Sequence, residues 1–123
     1  MIGYVTVGTN DFEAALEFYD GLFSSIGVDR LWKHGDMAAW GQSRETPALC
    51  IACPFDGAPA SVGNGVMIAL RMPDIDAVNT IHAQAVARGG ADEGSPGPRG
   101  DHGFYGGYFR DLEGNKICAY VPA

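Results

Sequence analysis

Few side chains in this sequence have types and spacings that suggest chemistry. Cys50-Ile51-Ala52-Cys53 is a C-x-x-C pair, the spacing of redox and zinc sites. No second pair accompanies it, and in a strand its two sulfurs point to opposite faces. Two small residues of a buried strand are the simpler reading, with Cys118 as a third free thiol. The three histidines differ in setting. His34 reads as a surface strand residue and His82 as a boundary residue of a helix. His102 stands in a Gly/Pro-rich stretch beside Arg99, Asp101 and Tyr105. There a histidine serves either as acid and base or as an ordinary loop residue, and Arg99 pairs either a substrate carboxylate or Asp101. The glycines form neither G-x-G-x-x-G before a helix nor G-x-x-x-x-G-K-[ST], so no phosphate cradle is indicated. No Ser–His–Asp or Cys–His arrangement can be placed. Trp32, Trp40, Tyr105 and Tyr108 are available to line a pocket, although aromatic residues in strands are more often core.

The elements that must position these residues repeat. Residues 2–8 alternate as a short strand, with Val5 and Val7 on one face and Tyr4 and Thr6 on the other. Asn10 is placed to cap a helix, with Glu13 completing a capping box. Phe12, Ala15, Leu16, Tyr19, Phe23 and Ile26 then form one apolar stripe, and Gly27 is a natural stop. The same order returns 63 positions later. Residues 65–72 are again a strand, with Ile68 and Leu70 in the places of Val5 and Val7. Asp74 replaces Asp11, Ile75 replaces Phe12, and Gly89-Gly90 ends the second helix. Strand-like segments follow at about 30–34, 37–42 and 48–53, and again at about 104–110 and 115–121. The last two are joined by a turn at residues 111–115, with Gly114 suited to a positive φ. Residues 94–103 read as a loop and residues 54–64 as a linker.

This order predicts a single α+β domain, 1–123, built from two tandem βαβββ units. Unit one runs over about 1–54, the linker over about 55–64 and unit two over about 65–123. The helices cover one face of a mostly antiparallel sheet and leave the other as a concavity. Alternation puts Val5, Val7, Ile68, Leu70, Ile117 and Ala119 beneath the helices. Tyr4, Thr6, Met67, Ala69, Cys118 and Tyr120 then share the opposite, cavity-lining face.

Composition narrows the partners. The 123 residues carry 15 acidic and 8 basic side chains, a net charge of −7. Nucleic acid and anionic membranes select for basic surfaces, so neither is expected as a partner. No apolar run approaches the ~20 residues of a membrane span. Residues 1–5 carry no basic stretch before an apolar one and do not read as a signal peptide. An odd number of cysteines without such a signal reads as free thiols in a reducing, cytoplasmic compartment.

Several motifs occur together in an order that resembles a known family. Phe18-Tyr19-Asp20 follows the first helix turn. Pro54-Phe55-Asp56-Gly57 and Gly63-Asn64-Gly65 lie between the repeats. Gly89-Gly90-Ala91-Asp92-Glu93-Gly94 is followed by Pro96-Gly97-Pro98-Arg99. Arg110-Asp111-Leu112-Glu113-Gly114-Asn115-Lys116-Ile117 closes the chain. In this, nearly the whole chain resembles the vicinal oxygen chelate superfamily of glyoxalase I, bleomycin- and fosfomycin-resistance proteins and extradiol dioxygenases, and in particular its small bacterial glyoxalase-like proteins. The resemblance implies one divalent metal, held by a histidine on the first strand, a histidine on the first strand of the second unit and a glutamate on the last strand. Tyr4, Met67 and Cys118 occupy those positions here. A phenolate, a thioether and a thiolate fit none of the usual Mg, Mn, Zn or Fe(II) patterns, and Cu(I) is the only common ion such a set attracts.

Two principal readings follow. In the first, the chain is a metal-independent binding module without a cofactor, taking a neutral or cationic small organic molecule in a pocket lined by Tyr4, Thr6, Cys50, Met67, Ala69, Arg99, His102, Tyr105, Cys118 and Tyr120. In the second, it is a divergent glyoxalase- or dioxygenase-type enzyme that uses a divalent metal on unusual ligands, or His102 and Tyr4 as acid–base residues. A third possibility is a degenerate paralogue kept as a partner subunit. The resemblance also implies a homodimer.

Overall fold

The computed structural model describes residues 1–101 and 103–123. They form two compact units, Met1–Val62 and Gly63–Ala123. Unit one runs β1 (Tyr4–Gly8), α1 (Phe12–Ser24), β2 (Arg30–His34), β3 (Met37–Trp40) and β4 (Ala48–Ala52). Unit two runs β5 (Ile68–Arg71), α2 (Ile75–Ala87), β6 (Ala91–Arg99), β7 (Phe104–Arg110) and β8 (Lys116–Val121). Each unit has a four-stranded sheet of the same order, β1-β4-β3-β2 and β5-β8-β7-β6. The first strand pairs parallel with the last, and the other two pairings are antiparallel. The chain is therefore the expected α+β protein of two tandem βαβββ units.

The helices obey the 63-residue offset residue for residue: 12–24 becomes 75–87. Both begin on an aspartate. Asp11 accepts from the Ala14 N–H at 3.1 Å and Asp74 from the Ala77 N–H at 2.8 Å, each satisfying a donor that the first turn leaves free. The cap is thus Asp11 rather than Asn10. Asn10 instead grips Ala60, donating from Nδ2 to its carbonyl at 3.1 Å and accepting its N–H at 2.6 Å. Both helices also stop alike. The Val28 N–H reaches the Phe23 carbonyl at 2.9 Å and the Gly90 N–H reaches that of Ala85 at 2.8 Å. Gly27 (φ 76°) and Gly89 (φ 102°) supply the left-handed residue that this closure needs.

Each helix packs one apolar stripe on its own sheet. In unit one, Phe18, Tyr19, Leu22 and Phe23 are buried against Val7, Trp40, Leu49 and Ile51. Tyr19 and Phe23 lie 5.4 and 6.0 Å from the Trp40 ring, whose indole N–H donates to Asp20 at 2.9 Å. In unit two, Val78, Ile81 and Ala85 are buried against Phe109, Ile117 and Ala119. His82 joins them, at 3.0 Å from Asp92 and 6.1 Å from the Phe109 ring centre.

One segment differs from its expected class. Residues 94–99 are not loop but part of β6, the edge strand of its sheet. Pro96 and Pro98 are tolerated because an edge strand leaves one row of backbone groups unpaired, and register shifts on either side of Gly94 absorb the mismatch. Strand β5 is also shorter than expected, so that Met67 immediately precedes it.

Candidate functional site

The face of each sheet opposite its helix is where chemistry-bearing residues collect. Register pairs share a face, so the pairings sort the side chains. In unit one, Val5 and Val7 lie beside Leu49 and Ile51 on the helix side. Tyr4, Thr6, Ala48, Cys50 and Ala39 therefore occupy the far face, and Trp32 and His34 join them through Ala39 and Met37. Trp32 and His34 stack at 5.4 Å. Tyr4 and Thr6 are exposed, whereas Cys50 is fully buried, and burial pushes its thiol pKa up. Cys53 falls just beyond β4.

In unit two, Ile68 and Leu70 pair with Ile117 and Ala119 on the helix side. Ala69 and Arg71 then share the far face with Cys118 and Tyr120. Strand β7 adds Gly106 opposite Tyr120, Tyr108 opposite Cys118 and Arg110 opposite Lys116. This register is pinned by the turn between β7 and β8. The Asp111 carboxylate accepts from the N–H groups of Glu113 (3.0 Å) and Asn115 (2.9 Å) and from the Asn115 amide (2.9 Å). Gly114 takes φ 95° there.

Two cations converge on one aromatic ring. The Arg99 guanidinium lies 5.2 Å and the Lys116 ammonium 5.5 Å from the Tyr108 ring centre. Arg99 is held in place by donating from Nε to the Gly106 carbonyl at 3.2 Å and from Nη2 to that of Ser95. Beneath them Cys118 is 1% exposed. Burial pushes its thiol pKa up; Tyr108, Arg99 and Lys116 pull the other way without reversing the shift. Phe104 and Tyr120 meet edge-on at 5.5 Å. On the helix side, the Gly94 N–H, the Ser95 hydroxyl and His82 hold Asp92 below the usual carboxylate range.

The structure thus brings Tyr4, Thr6 and Cys50 to one far face and Ala69, Arg99, Cys118 and Tyr120 to the other. Met67 precedes β5 and is 44% exposed. Tyr105 does not belong with them. Its hydroxyl donates to Asn79 of α2 at 2.8 Å, because alternation along β7 turns it toward the helix. Trp40 is core. His102 lies outside the described residues. Tyr108 was named only among the aromatic residues available to line a pocket, and Lys116 and Arg71 were not expected there. Alternation would have found the last two, since they lie two positions from Cys118 and Ala69.

The family model of the Glyoxalase/Bleomycin resistance protein/Dioxygenase superfamily matches residues 1–119. The chain belongs to this superfamily. Among solved structures, a glyoxalase/bleomycin resistance protein from Albidiferax ferrireducens T118 is 32% identical, with a TM-score of 0.90 over 100% of this chain and 99% of its own. Lactoylglutathione lyase from Agrobacterium tumefaciens is 20% identical (TM-score 0.69, covering 98% of this chain and 92% of that one), and TioX from Micromonospora sp. ML1 is 14% identical (0.69, 100% and 99%). These last two share the fold. No curated protein matches the chain.

Whether a divalent metal, which the superfamily implies, fits this chain turns on the donor chemistry. Tyr4 offers a 63% exposed phenol, Met67 a thioether, and Cys118 a buried thiol whose pKa burial raises. Metal ligation by cysteine needs the thiolate. Among the described residues no three His, Cys, Asp or Glu side chains stand close enough together to hold an ion. Among the described residues, this donor set does not fit a divalent metal. No described helix is long and apolar enough to cross a membrane.

Proposed function

We propose that this member of the glyoxalase/bleomycin resistance/dioxygenase superfamily is a metal-independent, cytoplasmic binding protein for a small organic molecule, working as a homodimer and without a nucleic-acid or membrane partner. The observation that carries the reading is Cys118. At the position where a glutamate ligand is expected, it places a buried thiol whose pKa is raised by desolvation. A neutral S–H is a weak donor and a poor metal ligand, but a good wall for an apolar pocket. On the same face of unit two, the partly exposed rings of Tyr108 and Tyr120 supply contact area of the kind that small-molecule sites use.

The test is elemental analysis of protein purified without chelator, beside a native mass spectrum. Substoichiometric Zn, Mn, Ni and Fe, a dimer mass and no lactoylglutathione lyase turnover on adding those ions are expected. One tightly held ion per chain, or turnover that depends on metal, overturns the metal-independent reading.

A further inference from the structure

Four of the eight basic residues in this acidic chain fall on one sheet face. Arg71, Arg99, Arg110 and Lys116 all belong to the far face of unit two. The seven acidic residues of that unit are distributed otherwise. Asp74 and Asp76 belong to the start of α2, Asp92 faces His82, Asp101 follows β6, and Asp111 and Glu113 form the last turn. Only Glu93 reaches the basic set, and it is taken by Arg110 at 2.7 Å. Arg99 and Lys116 are left within reach of the same ring with no carboxylate partner among the described residues. Two bonds to backbone carbonyls lock the Arg99 fork in place, and its Nη1 has no hydrogen-bond partner among the described residues.

Such an arrangement is repulsive by itself, since like charges are gathered without a counter-charge. An anion placed between them removes the repulsion and gains charge-assisted hydrogen bonds from a donor that needs no further ordering. The Tyr108 ring and the Phe104–Tyr120 pair beside it offer apolar surface to whatever carries the charge.

We propose that the far face of unit two binds a small organic anion, a carboxylate or phosphate on an apolar body, between Arg99 and Lys116 over Tyr108. This rests on the binding function above and names its ligand class. It replaces the neutral or cationic molecule that net charge alone favours, because the local charges on this face outweigh a distant surplus that salt screens.

The experiment follows backbone amide shifts of metal-depleted protein during titration with phenylacetate, phenyl phosphate, inorganic phosphate and benzylamine. Phenylacetate or phenyl phosphate is expected to shift amides of residues 104–110 and 116–121, and to bind more weakly as salt rises. Whichever of the two binds more tightly identifies the anion, and inorganic phosphate reports what the charge achieves without the apolar body. Lys116→Gln should weaken binding about tenfold, the effect of one charge-assisted contact. The Lys116 side chain makes no hydrogen bond among the described residues, so this variant keeps the fold. Lys33→Gln removes the same charge from unit one and should change nothing. If neither aryl anion shifts these strands at millimolar concentration, or if Lys33→Gln weakens binding as much as Lys116→Gln, the inference is wrong. Equal binding of benzylamine on this face also overturns the anion assignment but leaves metal-free binding standing. Anion binding that appears only after Zn or Mn is added overturns metal-free binding instead.

Discussion

The two units follow one chain trace and present opposite chemistries. Their helix sides are near copies: aspartate caps, positive-φ glycine stops, and a first strand lying parallel to the last. Even the buried thiols correspond, Cys50 beside Thr6 and Cys118 beside Ala69. The far faces diverge. That of unit one brings together Tyr4, Thr6, Ala39, Cys50, Trp32 and His34, with no lysine, arginine or carboxylate. That of unit two carries four basic residues. The helix side must satisfy helix ends and fill a core, demands that both units share and that few residues meet. The far face has no such duty, so its residues are the ones free to define a ligand.

Three substitution tests sharpen this comparison. The largest effect belongs to the shared helix side. Trp40→Ala and Phe109→Ala should each cost ~3–5 kcal/mol, the range for removing a buried aromatic side chain. Trp32→Ala, from the far face of unit one, should cost clearly less. Urea unfolding of the three variants checks this, and a Trp32 cost equal to that of Trp40 would break the division between the faces. Next, Asp11→Ala and Asp74→Ala should each lose about 1 kcal/mol, and nearly the same amount, because both caps serve one N–H in equivalent turns. A large inequality would show that the repeat is only geometric.

The smallest effect is electrostatic. Burial raises the thiol pKa of both Cys50 and Cys118 in the folded state. A raised acid favours its neutral form, so its stabilisation is complete below the unfolded thiol pKa and is lost as pH rises through the folded one. Unfolding free energy should therefore fall at alkaline pH, and less steeply in Cys50→Ala/Cys118→Ala. An unchanged slope would remove the thiols from the account. In thiol labelling of the native protein, Cys53 should react first, since the other two cysteines are buried.

Much of the scaffold was legible because it is written in local patterns. The 63-residue offset, the helix stops at Gly27 and Gly89, and the alternation of Val5, Val7, Ile68 and Leu70 are all short-range signals. The family motifs, too, prove to be scaffold where the structure displays them: Phe18 and Tyr19 are core, Asp20 receives the Trp40 indole, and Asp111 to Asn115 build the turn that sets the β7–β8 register. What went astray depends on partners outside the local pattern. Asn10 and Asp11 are both good caps by type, and the choice went to Asp11 while Asn10 bonds Ala60, fifty residues away. Residues 94–99 have loop composition yet pair with β7, because an edge position accepts proline.

Sequence by itself determined the repeat, every element except β6 and, through its motifs, the family, since helix stops and strand alternation are local and nearly context-free. Only the tertiary structure decided that Tyr105 turns to α2 while Arg99, Lys116 and Tyr108 meet above Cys118. The reason is physical. Which side chains face one another across a sheet is set by register, and register depends on a turn, a pair of bulges and a neighbouring strand acting together.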